Sequence, residues 1–271
     1  MDEQGSKSLS IPTYFPYKPN ESSYLLPKVG AGRSPGDSRP VPPQETWISD
    51  KFGKTPEEYL DIGRRDTQQM LDILGRAGAS PEELGHILEF GCGDGRMIRW
   101  LEHLADGREI WGTDIHAGRI MWCKQNLGAP FRFLTTTTVP HLPFEDRYFG
   151  FIYAGSVFTH IDDLADTWVA ELRRILRPGG KLFMTVHLRN DIPLLRDKYP
   201  HSALARYMHN LPVYDEYIRS DFGMFTIGRS SDSCVFYDID YLRGSLEPMF
   251  RILSITEEVR LYQNALLLER V

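Results

Sequence analysis

The stretch His86–Trp100, which reads HILEFGCGDGRMIRW, constrains the fold more than any other part of the chain. Its apolar run Ile87–Phe90 predicts a short buried strand. Glycines follow at positions 91, 93 and 95, and then come apolar residues at helical spacing: Met97, Ile98, Leu101 and Leu104. A strand, a glycine turn and a helix in this order are typical of the ligand-binding edge of an open α/β sheet. Glycine lets the backbone turn sharply and approach a ligand, and the helix N-terminus offers unpaired N–H groups to ligand oxygens.

Two details of the turn bear on which ligand it binds. The dinucleotide fingerprint is G-x-G-x-x-G, but here the third glycine, Gly95, comes one residue early and Arg96 takes the sixth position. In addition, Glu89 lies at the end of the strand. A carboxylate there repels a pyrophosphate and suits a cationic group such as an ammonium. These details favour a cationic ligand over a dinucleotide.

The segment Glu89–Gly95 resembles motif I of the class I S-adenosylmethionine-dependent methyltransferases. That cofactor carries an amine and a sulfonium but no phosphate. The resemblance covers roughly residues 55 to 270, and it implies that S-adenosyl-L-methionine binds at the turn. The residues of the turn that it assigns to the cofactor are Glu89, Gly91, Cys92, Gly93 and Gly95.

Asp114 ends the second predicted strand, Glu109–Asp114. At the tip of the neighbouring strand, an acid can accept hydrogen bonds from both hydroxyls of a ribose. The alternative is that Asp114 caps the next helix, residues 117 to 127. Ile115, directly after it, is predicted to flank the adenine ring.

The third strand, Phe131–Leu134, leads into four threonines and then Val139–Phe144. The Leu-Pro-Phe of this segment also resembles the family, whose members commonly have an acid four residues before that Leu to take the adenine amino group. Here the position is Thr138. Threonine hydroxyls or backbone groups are therefore expected to recognise the adenine.

An unbroken apolar run, Tyr148–Ala154, predicts a central parallel strand. Family members usually have Asp where this chain has Gly150. The following residues up to His160 lie at the carboxyl end of the strand, where α/β sheets place ligands. Ala154 and Ser156 are accordingly predicted to contact the cofactor. The next helix is predicted to start at Asp162 or Asp163 and to stop before the fifth strand, residues 181 to 187.

The predicted fold is therefore α/β: a seven-stranded, mostly parallel sheet with an antiparallel last strand and helices on both faces, as in class I methyltransferases. The last strand is expected from the pair 251–259 and 262–269. Residues 1–48, rich in proline, predict a partly ordered arm ahead of a methyltransferase domain at 49–271. Within that domain, residues 188–232 are an aromatic-rich insertion and a candidate lid or substrate element.

Helix-start signals precede the first strand. The sequence Thr55-Pro56-Glu57-Glu58 predicts a helix with Thr55 as its N-cap. The same capping pattern recurs at Ser80-Pro81-Glu82-Glu83. The resemblance places the first of these helices over the cofactor cleft. The resemblance implies that Gly63, Arg64 and Arg65 contact the ligand as part of a lid. A solvated helix face explains the two arginines equally well.

Composition argues against several partners. The net charge of -6 and the lack of a Lys/Arg cluster oppose nucleic-acid binding. No apolar run approaches the ~18 residues of a membrane helix, and the N-terminus carries no secretory signal. Three widely spaced cysteines suit a reducing cytoplasm. We therefore expect a cytoplasmic protein without a membrane, nucleic-acid or metal partner, acting on a small molecule.

Methyl transfer from a sulfonium is an in-line displacement that depends mainly on alignment and exclusion of water. An acceptor hydroxyl gains from a general base. His160, at the ligand end of the central strand, is the first candidate because histidine titrates near neutrality. His187, at the end of the fifth strand, is the second. The predicted reaction is methylation of a small-molecule acceptor, with oxygen favoured.

Two functions from other classes remain open at this point. A nicotinamide-dependent oxidoreductase is opposed by the glycine spacing and the terminal strand pair. A protein of methyltransferase fold that binds the cofactor or a partner without catalysis is favoured by Thr138 and Gly150, which replace the usual acids. The acceptor and the oligomeric state are not determined by the sequence.

Overall fold

The strands predicted from the sequence form one mostly parallel sheet in the computed structural model, which describes residues 33–34, 37–44, 53–80, 83–210, 219–228 and 233–271. In chain order the strands are β1 (Arg33–Ser34), β2 (Asp37–Pro40), β3 (His86–Phe90), β4 (Ile110–Asp114), β5 (Phe131–Thr135), β6 (Phe149–Ala154), β7 (Leu176–Leu188), β8 (Met224–Ile227), β9 (Cys234–Tyr237), β10 (Phe250–Arg260) and β11 (Gln263–Arg270). The main path of the sheet has the order β10-β11-β7-β6-β3-β4-β5. Strands β3 to β7 are mutually parallel, and β11 is antiparallel to both β7 and β10. The predicted fold class is confirmed.

Six α-helices accompany the strands in the described residues: α1 (Pro56–Arg76), α2 (Ala117–Asn126), α3 (Ala165–Ile175), α4 (Asp191–Asp197), α5 (Ala203–His209) and α6 (Ile239–Leu246). Thr55 caps α1 as predicted, since its side chain accepts a hydrogen bond from the Glu58 N–H. Asp238 caps α6 in the same way. No helix of the described ranges is both long enough and apolar enough to cross a bilayer.

Both faces of the sheet are covered, which explains why its strands are apolar without interruption. Alternate residues of one strand enter different cores: Ile87 packs towards α1 and α2, whereas Leu88 packs towards α3 and α6. The same alternation holds in β6, where Phe151 and Ile152 face opposite sides. With the faces filled, the carboxyl ends of the parallel strands are left as the edge where a ligand can approach.

The structure corrects three details of the sequence analysis. The segment after the glycine turn is a 3₁₀ helix, Ile98–Leu104, although its apolar residues are buried as predicted. Helix α3 begins at Ala165 without a side-chain cap; Asp162 instead accepts from the neighbouring Asp163 N–H, so the predicted aspartate cap is wrong. Strand β7 begins at Leu176, ahead of the predicted start. The second capping segment includes residues 81 and 82, which lie outside the described residues.

Packing explains why position 150 is a glycine, where the family usually has Asp. A Cβ at this position would lie 1.4 Å from the carbonyl oxygen of Leu84, so the backbone that leads into β3 crosses directly over it. Any side chain would push the two segments apart. The glycine therefore follows from local packing and is not by itself a sign of a lost cofactor site.

The insertion, together with the strand β9 that follows it, folds onto the end of the sheet. Strand β9 runs parallel to the tip of β7, where His187 pairs with Phe236, and β8 is antiparallel to β9. Apolar residues of α4, α5, β8 and β9 form a separate core that also includes Tyr262, at the turn of the β10–β11 hairpin. Residues 211–218 and 229–232 of the insertion lie outside the described part of the chain.

Part of the arm also contacts the domain. Strands β1 and β2 form a two-stranded ladder. From β2, the Arg39 guanidinium donates to both carboxylate oxygens of Glu102 (2.5 and 2.6 Å) and lies over the ring of Phe131. These contacts fix residues near position 40 against the 3₁₀ helix and the outer strand β5.

Candidate functional site

The glycine turn between β3 and the 3₁₀ helix forms the floor of the site. Gly91, Gly93 and Gly95 all have positive φ, between 53° and 78°, a region that side chains rarely adopt. A Cβ on Gly91 would lie 2.3 Å from Val157 Cγ2, and one on Gly95 would lie 2.3 Å from Leu127 Cδ1. The turn is glycine-rich for two reasons at once, backbone conformation and close packing.

Hydrogen bonds attach this turn to the neighbouring strand β4. The N–H groups of Gly91 and Cys92 both donate to the Thr113 carbonyl, at 2.8 and 2.9 Å. The Cys92 side chain is buried beneath the turn. Cys92 can therefore offer a cofactor only backbone groups, whereas its thiol belongs to the core.

Asp114 lies at the tip of β4, half-buried, and holds two backbone groups. Its Oδ2 accepts from the Gly93 N–H and its Oδ1 from the His116 N–H, each at 2.8 Å. Asp114 does not cap α2, because the N-cap of this helix is His116 and no side chain caps it. The Gly93 bond holds the glycine turn against β4, and the ribose role of Asp114 stays a prediction. Each carboxylate oxygen keeps a second lone pair, so a ribose diol can still donate to Asp114.

Glu89 is buried under the turn. Its Oε2 accepts from the Ile98 N–H and from the Tyr153 hydroxyl, both at 3.0 Å. Burial raises the pKa of Glu89 to about 8, despite the opposing effect of these hydrogen bonds and of Arg96. Glu89 is therefore mostly protonated at neutral pH in this structure. A cationic group beside it would lower that pKa again.

At the predicted adenine end, Thr136 is a further candidate that the sequence analysis did not single out. Ile115 and Thr138, the predicted contacts, are both half-buried beyond the strand tips. Thr136 is buried, and within the described residues its hydroxyl has no hydrogen-bond partner. Its N–H donates to the Asp114 carbonyl, so it lies beside the predicted ribose ligand. The run of four threonines was the available signal, but nothing in it distinguished Thr136 from Thr138.

Ala154 and Ser156, at the end of β6, differ in which of their groups lie at the ligand edge of the sheet. The Ala154 side chain is fully buried in the core facing α3, so only its backbone reaches the edge. Ser156 adopts the left-handed conformation (φ 59°), which is strained for a non-glycine residue. Its N–H donates to Thr185 Oγ1 at 2.7 Å, and its hydroxyl donates to Gln263 Oε1 at 2.8 Å. The surrounding bonds hold Ser156 in this conformation.

A cluster of three charged residues lies at the same edge of the sheet. Asp66 of α1 lies 2.7 Å from Arg96 Nη1, and its Oδ2 is 3.4 Å from Arg260 Nε at the tip of the terminal hairpin. Two members of the cluster, Asp66 and Arg260, line a cavity of about 20 Å³. Its other lining residues include Met70, Met97, Gly155 and Thr185. A space of this size holds about one water molecule. Helix α1 and the hairpin thus lie against each other over the edge of the sheet.

The two histidines predicted as bases lie away from the lining of this cavity. His160 is exposed, and its Nδ1 is 2.6 Å from the Ser233 carbonyl oxygen. His187 is buried, with its ring between those of Phe236 and Tyr262 at centroid distances of 5.1 and 5.3 Å. The catalytic role of either histidine stays a prediction.

The lid contacts proposed on α1 divide into two kinds. A Cβ on Gly63 would lie 2.4 Å from the Arg96 carbonyl, so this glycine lets the helix approach the segment after the turn. Arg64 and Arg65 are exposed and pair with Asp61 of the same helix. Their surroundings are those of a solvated helix face. In the ranges the structure describes, no three His, Cys, Asp or Glu side chains are grouped as metal ligands would be.

These features fit S-adenosylmethionine in the order that the sequence predicts. The glycine turn brings backbone to the ligand edge and Asp114 can accept from a ribose. The Thr136 hydroxyl, which has no hydrogen-bond partner in the described part of the chain, can hydrogen-bond a purine edge.

Comparison with known proteins finds a family match over part of the chain. The family model described as "Methyltransferase domain" matches residues 88–184, which run from β3 into β7. The malonyl-[acyl-carrier protein] O-methyltransferase of Salmonella typhimurium is 26% identical over 157 residues, covering 56% of this chain and 58% of that enzyme. The chain thus matches little more than half the length of this relative.

Two solved structures share the fold. A protein of Pyrococcus horikoshii is similar with a TM-score of 0.59 at 18% identity, covering 83% of this chain and 97% of that one. The magnesium protoporphyrin IX methyltransferase of Synechocystis, solved with bound SAH, has a TM-score of 0.53 at 15% identity, covering 82% and 91%. At these identities the likeness shows that the fold is shared and nothing more.

Proposed function

Since residues 88–184 are a methyltransferase domain of the class I, S-adenosylmethionine-dependent kind, we propose that this chain transfers a methyl group from S-adenosyl-L-methionine to a small-molecule acceptor, at oxygen. The observation that carries this proposal is the bond between the glycine turn and Asp114. It holds the glycine turn against a candidate ribose acceptor at the same edge of a class I sheet.

Different residues would contact different parts of the cofactor. Asp114 would accept from the ribose hydroxyls, and Ile115, Thr136 and Thr138 would surround the adenine. Gly91, Cys92, Gly93 and Gly95 would form the backbone floor, with Glu89 beneath the amino-acid end. Bound in this way, the cofactor supplies an electrophilic methyl group on a sulfonium.

The chain's own contribution is then alignment and exclusion of water. Ser156 and the backbone of Ala154 lie at the end of β6, next to the cavity-lining Gly155. The ring of bonds through Thr185 and Gln263 fixes this corner, so an acceptor meets a rigid surface. Alignment of this kind can supply ~7–11 kcal/mol of the barrier.

Oxygen as the acceptor atom is supported by the relative from Salmonella typhimurium, whose name states O-methylation of malonyl-[acyl-carrier protein]. A small-molecule acceptor is supported further by the net charge of -6. The three free thiols support a cytoplasmic location.

The arm, the domain and the insertion are proposed to have separate roles. Residues 49–271 would be the catalytic domain and residues 1–48 an arm fastened through Arg39. The insertion, about residues 188–232, would form one wall of the acceptor site. Its core contacts Tyr262, two residues from Arg260, and this supports a link between the insertion and the cavity.

Calorimetric titration of the purified chain with S-adenosylmethionine and with S-adenosylhomocysteine tests the cofactor. Micromolar binding of both is expected, and binding of NADH in their place would support the oxidoreductase alternative. Methyl transfer to a panel of acids, phenols and amines then tests catalysis. Tight cofactor binding without turnover on any acceptor would support the non-catalytic alternative.

A further inference from the structure

Gln263 connects the terminal hairpin to the segment that follows β6. It is the first residue of β11, and its side chain is buried. The side-chain oxygen Oε1 accepts two hydrogen bonds, from the Ser156 hydroxyl at 2.8 Å and from the Thr185 hydroxyl at 2.9 Å. One atom of the hairpin therefore holds both the segment after β6 and the neighbouring strand β7.

The hydrogen bonds around Ser156 involve its backbone as well as its side chain. Its N–H donates to Thr185 Oγ1 at 2.7 Å, and Arg260 Nη1 donates to its hydroxyl oxygen at 2.8 Å. Together with the bonds to Gln263, the first of these contacts closes a ring of three residues, Ser156, Thr185 and Gln263. Rotation of either hydroxyl would break a bond of this ring.

Ser156 needs such support because its backbone is strained. Its φ of 59° lies in the left-handed region, where a Cβ is unfavourable and glycine is the usual residue. A residue keeps a strained conformation only where the surrounding structure determines it. Here the determining contacts come from β7 and from the terminal hairpin, which are both distant from Ser156 in the chain.

The conformation of Ser156 decides how its two neighbours lie relative to each other. Gly155 lines the cavity at the ligand edge. Val157 lies against the glycine turn, since a Cβ on Gly91 would be 2.3 Å from Val157 Cγ2. Residues 155–157 thus reach from the cavity to the turn that is proposed as the floor for the cofactor. A change of φ at Ser156 would move one end of this segment relative to the other.

We propose that Gln263 is a positioning residue, which acts through Ser156 to hold residues 155–157 against the glycine turn in the form that binds S-adenosylmethionine. This inference rests on the proposed function and extends it to a residue from the far end of the chain. Gln263 acts through its acceptor oxygen and does not contact the cofactor. Loss of that oxygen leaves the buried Thr185 hydroxyl without its acceptor and removes one support of the strained Ser156.

Variants at position 263 test the acceptor oxygen. Gln263→Met keeps the length of the side chain but has no oxygen, whereas Gln263→Glu can accept both hydrogen bonds and lacks the amide N–H groups. In calorimetric titration with S-adenosylhomocysteine, Gln263→Met should bind about tenfold more weakly than the unmodified chain. Gln263→Glu should recover most of that loss.

Gln68→Met is the matched control. Gln68 is exposed on α1, where its amide donates to Asp72 of the same helix, so the same substitution there should leave the affinity unchanged. Circular dichroism and thermal melting establish that each variant is folded at the temperature of the titration. A purely structural role of Gln263 would lower the melting temperature and leave the affinity of the folded protein as it was.

Two variants at position 156 separate the strain from the hydroxyl. Ser156→Ala and Ser156→Gly both remove the hydroxyl, but only alanine keeps the Cβ that makes a positive φ unfavourable. Ser156→Ala should therefore bind S-adenosylhomocysteine about fivefold more weakly than Ser156→Gly. Adding Gln263→Met to Ser156→Gly should reduce the affinity less than the same change does in the unmodified chain, because glycine needs less support.

Three results overturn the inference. A folded Gln263→Met variant that binds S-adenosylhomocysteine as tightly as the unmodified chain shows that the ring affects stability alone. A Gln263→Glu variant as weak as Gln263→Met shows that the amide N–H groups contact the ligand directly. Equal affinities of Ser156→Ala and Ser156→Gly show that strain plays no part, and this result requires no variant at position 263 to fold. Failure of the unmodified chain to bind S-adenosylhomocysteine contradicts the proposed function, and this inference with it.

Discussion

Gly93 and Asp114 are joined by a 2.8 Å hydrogen bond from the glycine N–H to the carboxylate Oδ2, across the tips of two neighbouring parallel strands. The bond fixes the backbone floor of the cleft relative to the acid that is proposed to bind the ribose. A second bond, from the His116 N–H to Oδ1, fixes the same carboxylate from the side of α2. One side chain therefore holds both the glycine turn and the residue that precedes α2, at the carboxylate that is proposed to bind the ribose.

Replacing Asp114 tests this arrangement. Asp114→Ala should weaken binding of S-adenosylmethionine by ~1–3 kcal/mol, because charged hydrogen bonds to the ribose and the support of Gly93 are lost together. Asp114→Asn, which keeps one acceptor oxygen, should fall between the variant and the unmodified chain. Calorimetry measures both, and unchanged affinity in Asp114→Ala would remove this residue from the cofactor site.

The packing of Gly91 against Val157 gives a second test. Gly91→Ala should lower the free energy of unfolding by ~1–2 kcal/mol from backbone conformation alone, and further from the contact with Val157 Cγ2. Adding Val157→Ala should restore only the part due to the contact. Urea unfolding of the two single variants and the double variant measures this coupling. Strictly additive effects would mean that the steric contact does not contribute.

Burial of Glu89 predicts a pH dependence of stability. Below pH about 4.5 the carboxyl is protonated in both states, but above it the unfolded chain loses the proton first, since the folded pKa is about 8. The stabilising contribution of Glu89 is therefore complete at low pH and is lost as the pH rises from 4.5 through 8. Glu89→Gln can still accept from the Ile98 N–H and the Tyr153 hydroxyl but cannot ionise.

The free energy of unfolding of Glu89→Gln, relative to the unmodified chain, should accordingly increase between pH 5 and pH 8 and level off above. Urea unfolding at each unit of pH measures it. Two curves that stay parallel over this range would show that Glu89 has an ordinary pKa and is solvated in the folded protein.

Thr136 offers a test that separates stability from binding. Thr136→Val removes a buried hydroxyl without a partner among the described residues, so the free energy of unfolding should stay the same or rise slightly. The affinity for S-adenosylmethionine should fall if that hydroxyl meets the adenine. Thr138→Val, two positions on, shows which of the two threonines contributes more to the affinity. A loss confined to Thr138→Val would return the adenine contact to the residue predicted from the sequence.

The histidines separate two kinds of acceptor. If the acceptor oxygen is already ionised, methyl transfer needs no base. His160→Ala and His187→Phe should then each keep turnover within a few-fold, and the phenyl ring should preserve the stack with Phe236 and Tyr262. A general base contributes ~10²–10⁴-fold. A loss of that size in one folded variant, with cofactor affinity unchanged, would identify that histidine as the base and contradict a base-free reaction.

The sequence determined the sheet and the floor of the site because both depend on local patterns. Apolar runs predicted the strands, and alternate glycines predicted the turn. The position of Asp114 at the end of the second strand predicted that it lies beside that turn. Such signals are local because positive φ and strand burial are properties of a few consecutive residues. The 3₁₀ geometry of Ile98–Leu104 and the missing cap of α3 were not predictable in this way, since tertiary packing overrides local propensity.

Only the tertiary structure brought together Asp66, Arg96 and Arg260, which are far apart in the chain. As separate residues each is what a solvated surface would carry. Helix α1, the glycine turn and the terminal hairpin meet at one edge because both faces of the sheet are already filled, so their charges are buried against each other. Burial in turn changes what those charges cost and what they can bind, and a linear pattern contains no information about burial by distant segments.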